Sequence, residues 1–255
     1  MGIRIAAAQA SSVAGDLAAN LQTHLRFIAA ARAEGVQLLV FPELSLCGYE
    51  LPLLRSCALA PDDARLAPLR TAAREAGMTV IVGAPLIDDG AAQPCIASIT
   101  FAADGNTRTY RKQYLHDGEE RHVQAGPRGA IAHALHGQRY VEAICADTTH
   151  AAHAQAAATA GASLYVAGVL ISEAGYAADA ALLRGYAETH LLGVLMANHG
   201  APSGGYTVAG NSAFWAPGGA LLCQAPGPGN YLVIAEEDGG WRGHVAPLPA
   251  AAKGD

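Results

Sequence analysis

The sequence lacks the features that mark several large classes of protein. No apolar run approaches the ~18 residues that a helix needs to cross a bilayer. The opening residues Met1–Ile5 enter a strand-like run directly, without the architecture of a signal peptide. The five cysteines are odd in number and scattered, with no C-x-x-C pair, so neither a disulfide framework nor a zinc ribbon is indicated. We therefore expect no membrane partner and a reducing, cytoplasmic compartment.

Positive charge is also scarce, since 16 Lys and Arg stand against 22 Asp and Glu. The resulting net charge of −6 argues against a nucleic-acid partner. Ten histidines raise a metal hypothesis, and His150 and His153 stand three apart on a predicted helix. No acidic residue completes a zincin pattern beside them. We expect surface histidines and no metal, with a metal bound by these two histidines as an alternative to test.

Strand-length apolar runs alternate with helical patterns along most of the chain. A run from Ile3 to Ala10 and another from Val36 to Phe41 flank a helical pattern that follows Asp16. Further helices are predicted over residues 62–75, 150–161 and 178–191. Further strands are predicted over residues 78–87, 95–102, 107–112, 131–135, 139–144, 164–169 and 194–197, with a final meander over 213–215, 221–224 and 231–235.

The order of these elements indicates a single α/β domain. Helices separate buried strands, hairpins are inserted between them, and neither a repeat nor a linker-like break interrupts the pattern. We expect two mixed sheets with helices outside them, a four-layer α-β-β-α sandwich over residues 1–246. The Ala- and Pro-rich segment 247–255 is expected to form a flexible tail.

Reactive side chains stand where several predicted strands end. Glu43 follows a buried run, Lys112 ends a hairpin strand, Glu119 and Glu120 lie in the next loop, and Cys145 ends a strand before a predicted helix. Strand C-termini gather along one edge of a layered α/β sheet, where sites form. Burial would raise the pKa of Glu43 toward the range of a general base. Backbone N–H groups at the start of the helix would favour a Cys145 thiolate.

Each of these residues also has a structural interpretation. The alternatives are a buried structural thiol at Cys145, a turn cap at Glu43, a solvated strand end at Lys112, and an exposed acidic pair at Glu119 and Glu120. A single position would not decide between the two interpretations. Their common placement at strand ends favours the catalytic one.

Together these segments resemble the nitrilase superfamily, the carbon–nitrogen hydrolases. Phe41-Pro42-Glu43, Tyr110-Arg111-Lys112 and Ile144-Cys145-Ala146-Asp147 are similar, in order and approximate spacing, to the segments of its Glu-Lys-Cys triad. Ala197-Asn198 and Gly210-Asn211-Ser212 are similar to later elements of the family. The resemblance extends over nearly the whole chain and implies the four-layer nitrilase fold.

The resemblance also implies a chemistry, the hydrolysis of a non-peptide C–N bond through a cysteine thioester. Glu43 would be the general base and Cys145 the nucleophile. Lys112 and the backbone N–H of Ala146 would stabilise the oxyanion. Such a set of residues needs neither a metal nor a cofactor.

A second glutamate of the family precedes a glycine by seven residues in the loop after the lysine. Alignment on Gly126 selects Glu119 over Glu120. The chain departs from many relatives at Ala151-Ala152, where a Pro-Glu pair is common. That departure leaves the substrate open.

We therefore expect an amidase-type enzyme that acts on a small linear amide or N-carbamoyl compound and releases ammonia or an amine. A nitrile is the less expected substrate. The alternative is a catalytically silent nitrilase-like subunit with a binding or assembly role. By the same resemblance we expect a homodimer or higher homo-oligomer, formed through the Ala-rich helices predicted at 150–161 and 178–191.

Overall fold

Within residues 2–88 and 90–248, which the computed structural model describes, two mixed β-sheets pack face to face. The first sheet has the strand order β13-β12-β1-β2-β3-β4-β5, and the second has the order β11-β10-β9-β8-β7-β6. The strands of the first sheet are β1 (Ile3–Gln9), β2 (Leu38–Val40), β3 (Thr79–Leu86), β4 (Cys95–Phe101), β5 (Thr107–Arg111), β12 (Tyr231–Glu237) and β13 (Trp241–Pro247). Those of the second are β6 (His133–Leu135), β7 (Gln138–Ile144), β8 (Leu164–Gly168), β9 (Gly193–Ala197), β10 (Ala213–Trp215) and β11 (Leu221–Gln224).

Helices cover the outer face of each sheet. The first sheet packs against α1 (Leu17–Ala33) and α3 (Ala67–Ala76), and the second against α4 (Ala151–Thr159) and α5 (Tyr176–His190). A short helix, α2 (Leu54–Cys57), lies in the loop that follows β2. The predicted four-layer α-β-β-α sandwich is therefore confirmed.

Central strands such as β3 and β8 are apolar along almost their whole length because both of their faces are buried. In β1, Ile3 and Ile5 point between the sheets, whereas Ala6 and Ala8 face the helices of the first sheet. Such two-sided burial is typical of strands covered by helices on one face and by a second sheet on the other. It accounts for the continuous apolar runs in the sequence.

Parallel pairing in both sheets places several strand ends at one edge of the sandwich. In the first sheet β1, β2 and β3 run parallel, and in the second β7, β8 and β9 do so. The segments that follow β2 and β7 carry Glu43 and Cys145. The topology thus brings together residues that are about a hundred positions apart in the sequence.

The structure corrects two expectations for the C-terminal third. β10 and β11 pair in the second sheet, but β12 crosses to the first sheet and pairs with β1, so the predicted meander is wrong. The unpredicted strand β13 pairs with β12 and includes Pro247, and the Leu248 N–H donates to the Asn230 carbonyl. Pro247, the first residue of the expected tail, is the last residue of β13, and residues 249–255 lie outside the described part of the chain, so the flexible tail stays a prediction.

Candidate active site

Cys145 occupies a strained position at the end of β7. It begins a 3₁₀ turn, Cys145–Thr149, with φ of +43°, in the left-handed region that costs a non-glycine residue about 1–3 kcal/mol. Its side chain is half-buried and lines a cavity. Such strain persists only where the surroundings hold the backbone in place.

The side chain of Asp147 keeps the backbone at Cys145 in this conformation. Its Oδ2 accepts hydrogen bonds from Ile144 N at 3.0 Å and Tyr110 OH at 2.6 Å. Its Oδ1 accepts from Gln113 N at 3.0 Å and Tyr114 N at 2.9 Å. The turn that presents Cys145 is therefore fixed to the segment that carries Lys112.

Lys112 is fully buried between two carboxylates. Its Nζ donates to Glu43 Oε1 and to Glu119 Oε1, both at 2.7 Å. Glu119 Oε1 also accepts from Tyr49 OH at 2.6 Å, and Glu119 Oε2 accepts from His116 N at 2.8 Å. Three residues that the sequence analysis singled out thus meet in one buried network.

Glu120, the competing candidate, lies outside this network. Its side chain is exposed, accepts from Gly118 N at 2.7 Å and approaches Arg121 at 3.8 Å. The choice of Glu119 over Glu120 for the site agrees with this geometry.

The loop that carries Glu43 passes between the two sheets through very small gaps. A Cβ on Gly83 would lie 2.3 Å from Leu44 N, and a Cβ on Gly168 would lie 2.5 Å from Phe41 O. His199 Nε2 donates to the Glu43 carbonyl at 2.7 Å. Glycine on both neighbouring strands is therefore required for the loop to approach so closely.

Burial sets the protonation of this network. Burial, opposed by the charge of Lys112 and aided by that of Glu119, raises the pKa of Glu43 to about 7. Burial alone would lower the pKa of Lys112, but the charges of Glu43, Cys145 and Glu119 outweigh it and raise the pKa above its ordinary value. Lys112 therefore stays charged, and Glu43 exchanges its proton near neutral pH.

The expected stabilisation of a Cys145 thiolate is not what the structure gives. Burial and the nearby Glu43 raise the pKa of Cys145 well above its ordinary value, although Lys112 lowers it. Helix α4 begins only at Ala151, beyond the 3₁₀ turn, so its N-terminus lies several residues from the sulfur. The resting thiol is therefore neutral, and its Sγ donates to the Leu170 carbonyl at 3.5 Å.

The cavity at Cys145 has a volume of about 220 Å³. This is smaller than the roughly 300–1,000 Å³ of pockets that hold drug-sized ligands. Ala146 lines it, and as the second residue of a 3₁₀ turn its N–H has no acceptor within that turn. The lining residues are Tyr49, His116, Cys145, Ala146, Thr148, Thr149, Leu170, Ile171, Ser172, Gly175, Asp179 and Tyr206.

Comparison with known proteins agrees with this geometry. The family model described as Carbon-nitrogen hydrolase matches residues 4–242. The chain belongs to this family. Hydrolase MT0498 and Hydrolase Rv0480c, from two strains of Mycobacterium tuberculosis, are each 34% identical over 151 residues, which are 57% of this chain and 53% of the relative. The aligned region thus spans about half the length of these relatives.

Solved structures of amidases share the fold. A mutant of the amidase from Nesterenkonia sp. AN1 in complex with butyramide has a TM-score of 0.85 at 25% identity, over 92% of this chain and 90% of that one. A second mutant, with acrylamide added at its active-site cysteine, has a TM-score of 0.83 at 25% identity, over 91% and 92%. The expectation of an amidase-type carbon–nitrogen hydrolase is confirmed at the level of family and fold.

Two segments that are similar to later elements of the family, Ala197-Asn198 and Gly210-Asn211-Ser212, hold the loop after β8 in place. Asn198 Nδ2 donates to the carbonyls of Ile171 and Gly210, and Asn198 Oδ1 accepts from Ile171 N. Ser212 Oγ accepts from Asn198 N, and Ser212 N donates to Gln9 Oε1. These residues position a cavity wall and do not face the cavity themselves.

Sequence reasoning missed three residues of this site. Tyr49, in the loop that follows β2, donates a hydrogen bond to Glu119, and His199 donates one to the Glu43 carbonyl. Burial lowers the pKa of His199 to about 4, so its ring is neutral. The carbonyl of Leu170 contacts the thiol. The position of His199 directly after Ala197-Asn198 was the one usable signal in the sequence.

The two histidines of the metal hypothesis have other partners. The ring nitrogens of His153 lie 2.8 Å from Tyr110 OH and 2.8 Å from Tyr165 OH, so neither is free to bind a metal. The ring of His150 stacks on Tyr114 at 3.7 Å. Among residues 2–88 and 90–248, no group of three or more His, Cys, Asp or Glu could hold a metal ion. In that same part of the chain, no helix is long and apolar enough to cross a membrane.

Proposed function

We propose that this chain hydrolyses a small linear amide through a thioester on Cys145. Glu43 Oε2 is buried and has no hydrogen-bond partner among the described residues, while Lys112 occupies Oε1. This single observation carries the proposal, because a free carboxylate oxygen beside a neutral thiol is what a general base requires.

The reaction has two halves with the same proton carrier. Glu43 Oε2 takes the proton of the Cys145 thiol, and Sγ forms a bond to the amide carbon. The negative charge passes to the amide oxygen, where the Lys112 ammonium and the Ala146 N–H stabilise it. The C–N bond breaks as Glu43 returns its proton to the nitrogen, so ammonia leaves and a thioester remains. Glu43 then takes a proton from water as the hydroxide attacks the thioester carbon. The C–S bond breaks and Glu43 returns the proton to Sγ, so the carboxylic acid leaves and the Cys145 thiol is restored.

The raised pKa values fit these roles. A pKa of about 7 lets Glu43 gain and lose a proton at neutral pH at little cost. The raised pKa of Lys112 keeps it a cation throughout, so it acts as an electrostatic group and not as a proton donor. One lost oxyanion donor costs roughly 10²–10³ in rate at comparable sites.

The cavity favours neutral substrates over those that carry a carboxylate. Among its lining residues there is no Lys or Arg, and the volume of about 220 Å³ admits only a short chain. Carboxylates are recognised chiefly by Arg and Lys, so ω-amides of dicarboxylic acids and N-carbamoyl amino acids are disfavoured. Short primary amides, which the butyramide complex of the Nesterenkonia amidase exemplifies, fit best.

A panel assay of ammonia release tests the proposal. We expect release from short amides such as butyramide and loss of it in Cys145→Ala. Cys57→Ala is the matched control, because Cys57 is a half-exposed thiol on α2 that does not line the cavity. The alternative, a catalytically silent subunit, predicts no release from any amide, and unchanged release by Cys145→Ala would refute the mechanism.

A further inference from the structure

The cavity that contains Cys145 is also lined by one carboxylate that has no hydrogen-bond or ion-pair partner among the described residues. Asp179 lies in the first turn of α5 and lines this cavity. Among the described residues, no hydrogen bond or ion pair engages its carboxylate, and its backbone N–H donates to the Gly175 carbonyl at 3.2 Å. It plays no part in the network of Glu43, Lys112 and Glu119.

The carboxylate stands beside a hydroxyl on the same side of a glycine. A Cβ on Gly175 would lie 3.4 Å from Ser172 Oγ and 3.7 Å from Asp179 Oδ2. Ser172 Oγ accepts from Gly175 N at 3.2 Å, which leaves a lone pair and the hydroxyl proton for another partner. All three residues line the cavity. Ser172 and Asp179 thus place hydrogen-bond acceptors on one wall of the cavity. A residue larger than Gly175 would cover them.

Partial burial makes this wall selective. Burial raises the pKa of Asp179, although His116 opposes the shift. A carboxylate withdrawn from water without a partner is costly, and the cost is offset when a cation binds. The only lining side chain able to carry a positive charge is that of His116, which is exposed. The Asp179 carboxylate therefore attracts a cationic ligand into the cavity and repels an anionic one.

We infer that Asp179 selects amides that carry an ammonium group on a short chain, the class of ω-amino amides. This inference rests on the proposed function, since it assigns the substrate class of the same site. The carboxamide lies at Cys145 and Ala146, and the ammonium lies at Asp179 and Ser172. The products are then an ω-amino acid and ammonia. The substrate, an amide that carries an amine, must be supplied by another reaction.

Isosteric amides that differ only in charge test the inference. β-Alaninamide and butyramide have the same number of heavy atoms, as do γ-aminobutyramide and valeramide, and succinamate supplies the anion. We expect kcat/KM to be about fivefold or more higher for each cation than for its neutral isostere, with succinamate lowest, as for a partly desolvated ion pair. Added salt should reduce this ratio.

Variants assign the preference to one side chain. Asp179→Asn is expected to bring the cation-to-neutral ratio to about one or below, and Asp179→Glu to retain a preference for the cation. Glu173→Gln is the matched control, because Glu173 is exposed, lies in the loop just before α5 and does not line the cavity. The salt dependence of the unaltered protein shows separately whether the preference is electrostatic.

The outcomes separate this inference from the function on which it rests. Hydrolysis of butyramide with no preference for its cationic isostere, or a preference that survives in Asp179→Asn, overturns the role of Asp179 and leaves the amidase intact. No ammonia from any of the five amides overturns the proposed function and, with it, this inference.

Discussion

Lys112 Nζ lies 2.7 Å from Glu43 Oε1, while Glu43 Oε2 is buried and accepts no hydrogen bond from the described residues. The two oxygens of one carboxylate therefore have different environments. Oε1 is tied to a cation, and Oε2 offers a lone pair to a proton. A buried carboxylate without any partner would be protonated near pH 7, and a carboxylate with several hydrogen-bond donors would not take up a proton. Glu43, with one partnered and one unpartnered oxygen, lies between these two cases, which suits a base that must gain and lose a proton in every cycle.

The pH profile is the first prediction. We expect kcat/KM for a neutral amide to fall as the pH drops below about 7, because the pKa of Glu43 is raised to about 7 and its protonated form cannot accept the thiol proton. The base form exists above that pKa, so activity is lost on the acid side. The measurement is kcat/KM between about pH 5 and 9 with butyramide, whose charge does not change. An acid limb near pH 4, the range of an ordinary glutamate, would contradict this role.

Glu119 is predicted to act as a positioning residue for Lys112. In Glu119→Gln we expect kcat to fall on the order of 10², because Lys112 loses one of its two carboxylate partners and its ammonium can shift. The acid limb should also move to lower pH, since the Glu119 charge raises the pKa of Glu43. The pH profile is the decisive readout, because a purely structural role would lower activity without moving the limb.

Glu120→Gln is the matched control for that experiment. Glu120 is exposed and bonds only within its own turn, so its loss should change kcat/KM by no more than about twofold. Equal effects of the two substitutions would refute the assignment of Glu119.

The sequence permitted the helices, most strands and the site residues to be predicted, but for different reasons. Two-sided burial leaves continuous apolar runs, so β1 and β3 were evident from hydrophobicity alone. The grouping of Glu43, Lys112 and Cys145 rested on the resemblance to a family, because no local pattern reports a contact across such separations. Glu43 and Cys145 follow parallel strands of the two stacked sheets, and Lys112 follows β5, which two successive antiparallel pairings turn in the same direction as β3.

Other features could not be predicted because they depend on which sheet a segment joins. β11 and β12 are adjacent in the chain, yet they belong to different sheets. β11 is mostly exposed or half-buried and the middle of β12 is buried on both faces, and neither pattern tells which sheet a strand joins. β13 was missed because its strand at the edge of the sheet is half-exposed and contains charged residues. The hydrogen bond from Tyr49 to Glu119 joins two loop segments, and no pattern in the sequence predicts such a contact.

Selective alkylation is the third prediction. We expect iodoacetamide to modify Cys145 faster than Cys47 or Cys223, because only Cys145 of these three lines the cavity beside a base. Cys47 and Cys223 are buried thiols that do not line this cavity, so the reagent reaches them more slowly. Glu43→Gln should slow the labelling of Cys145 roughly 10-fold or more but leave Cys57 unaffected. Mass spectrometry of labelled peptides gives all four rates, and labelling of Cys145 that is no faster than that of Cys47 would exclude an activated thiol.

A homodimer formed through the outer helices of the second sheet is the last prediction. α4 and α5 pack side by side and expose small residues, among them Ala151, Ala152 and Gly185, next to Leu182, which is 40% exposed. Small side chains allow another copy to approach closely, and an exposed leucine there gains burial on pairing. We expect light scattering to give twice the mass of one chain, and Leu182→Glu to shift it to one. Leu221→Glu on β11, where the leucine is 48% exposed, is the matched control and should leave the mass unchanged. A dimer that survives Leu182→Glu but dissociates with Leu221→Glu would move the interface from the helices to the edge of the sheet.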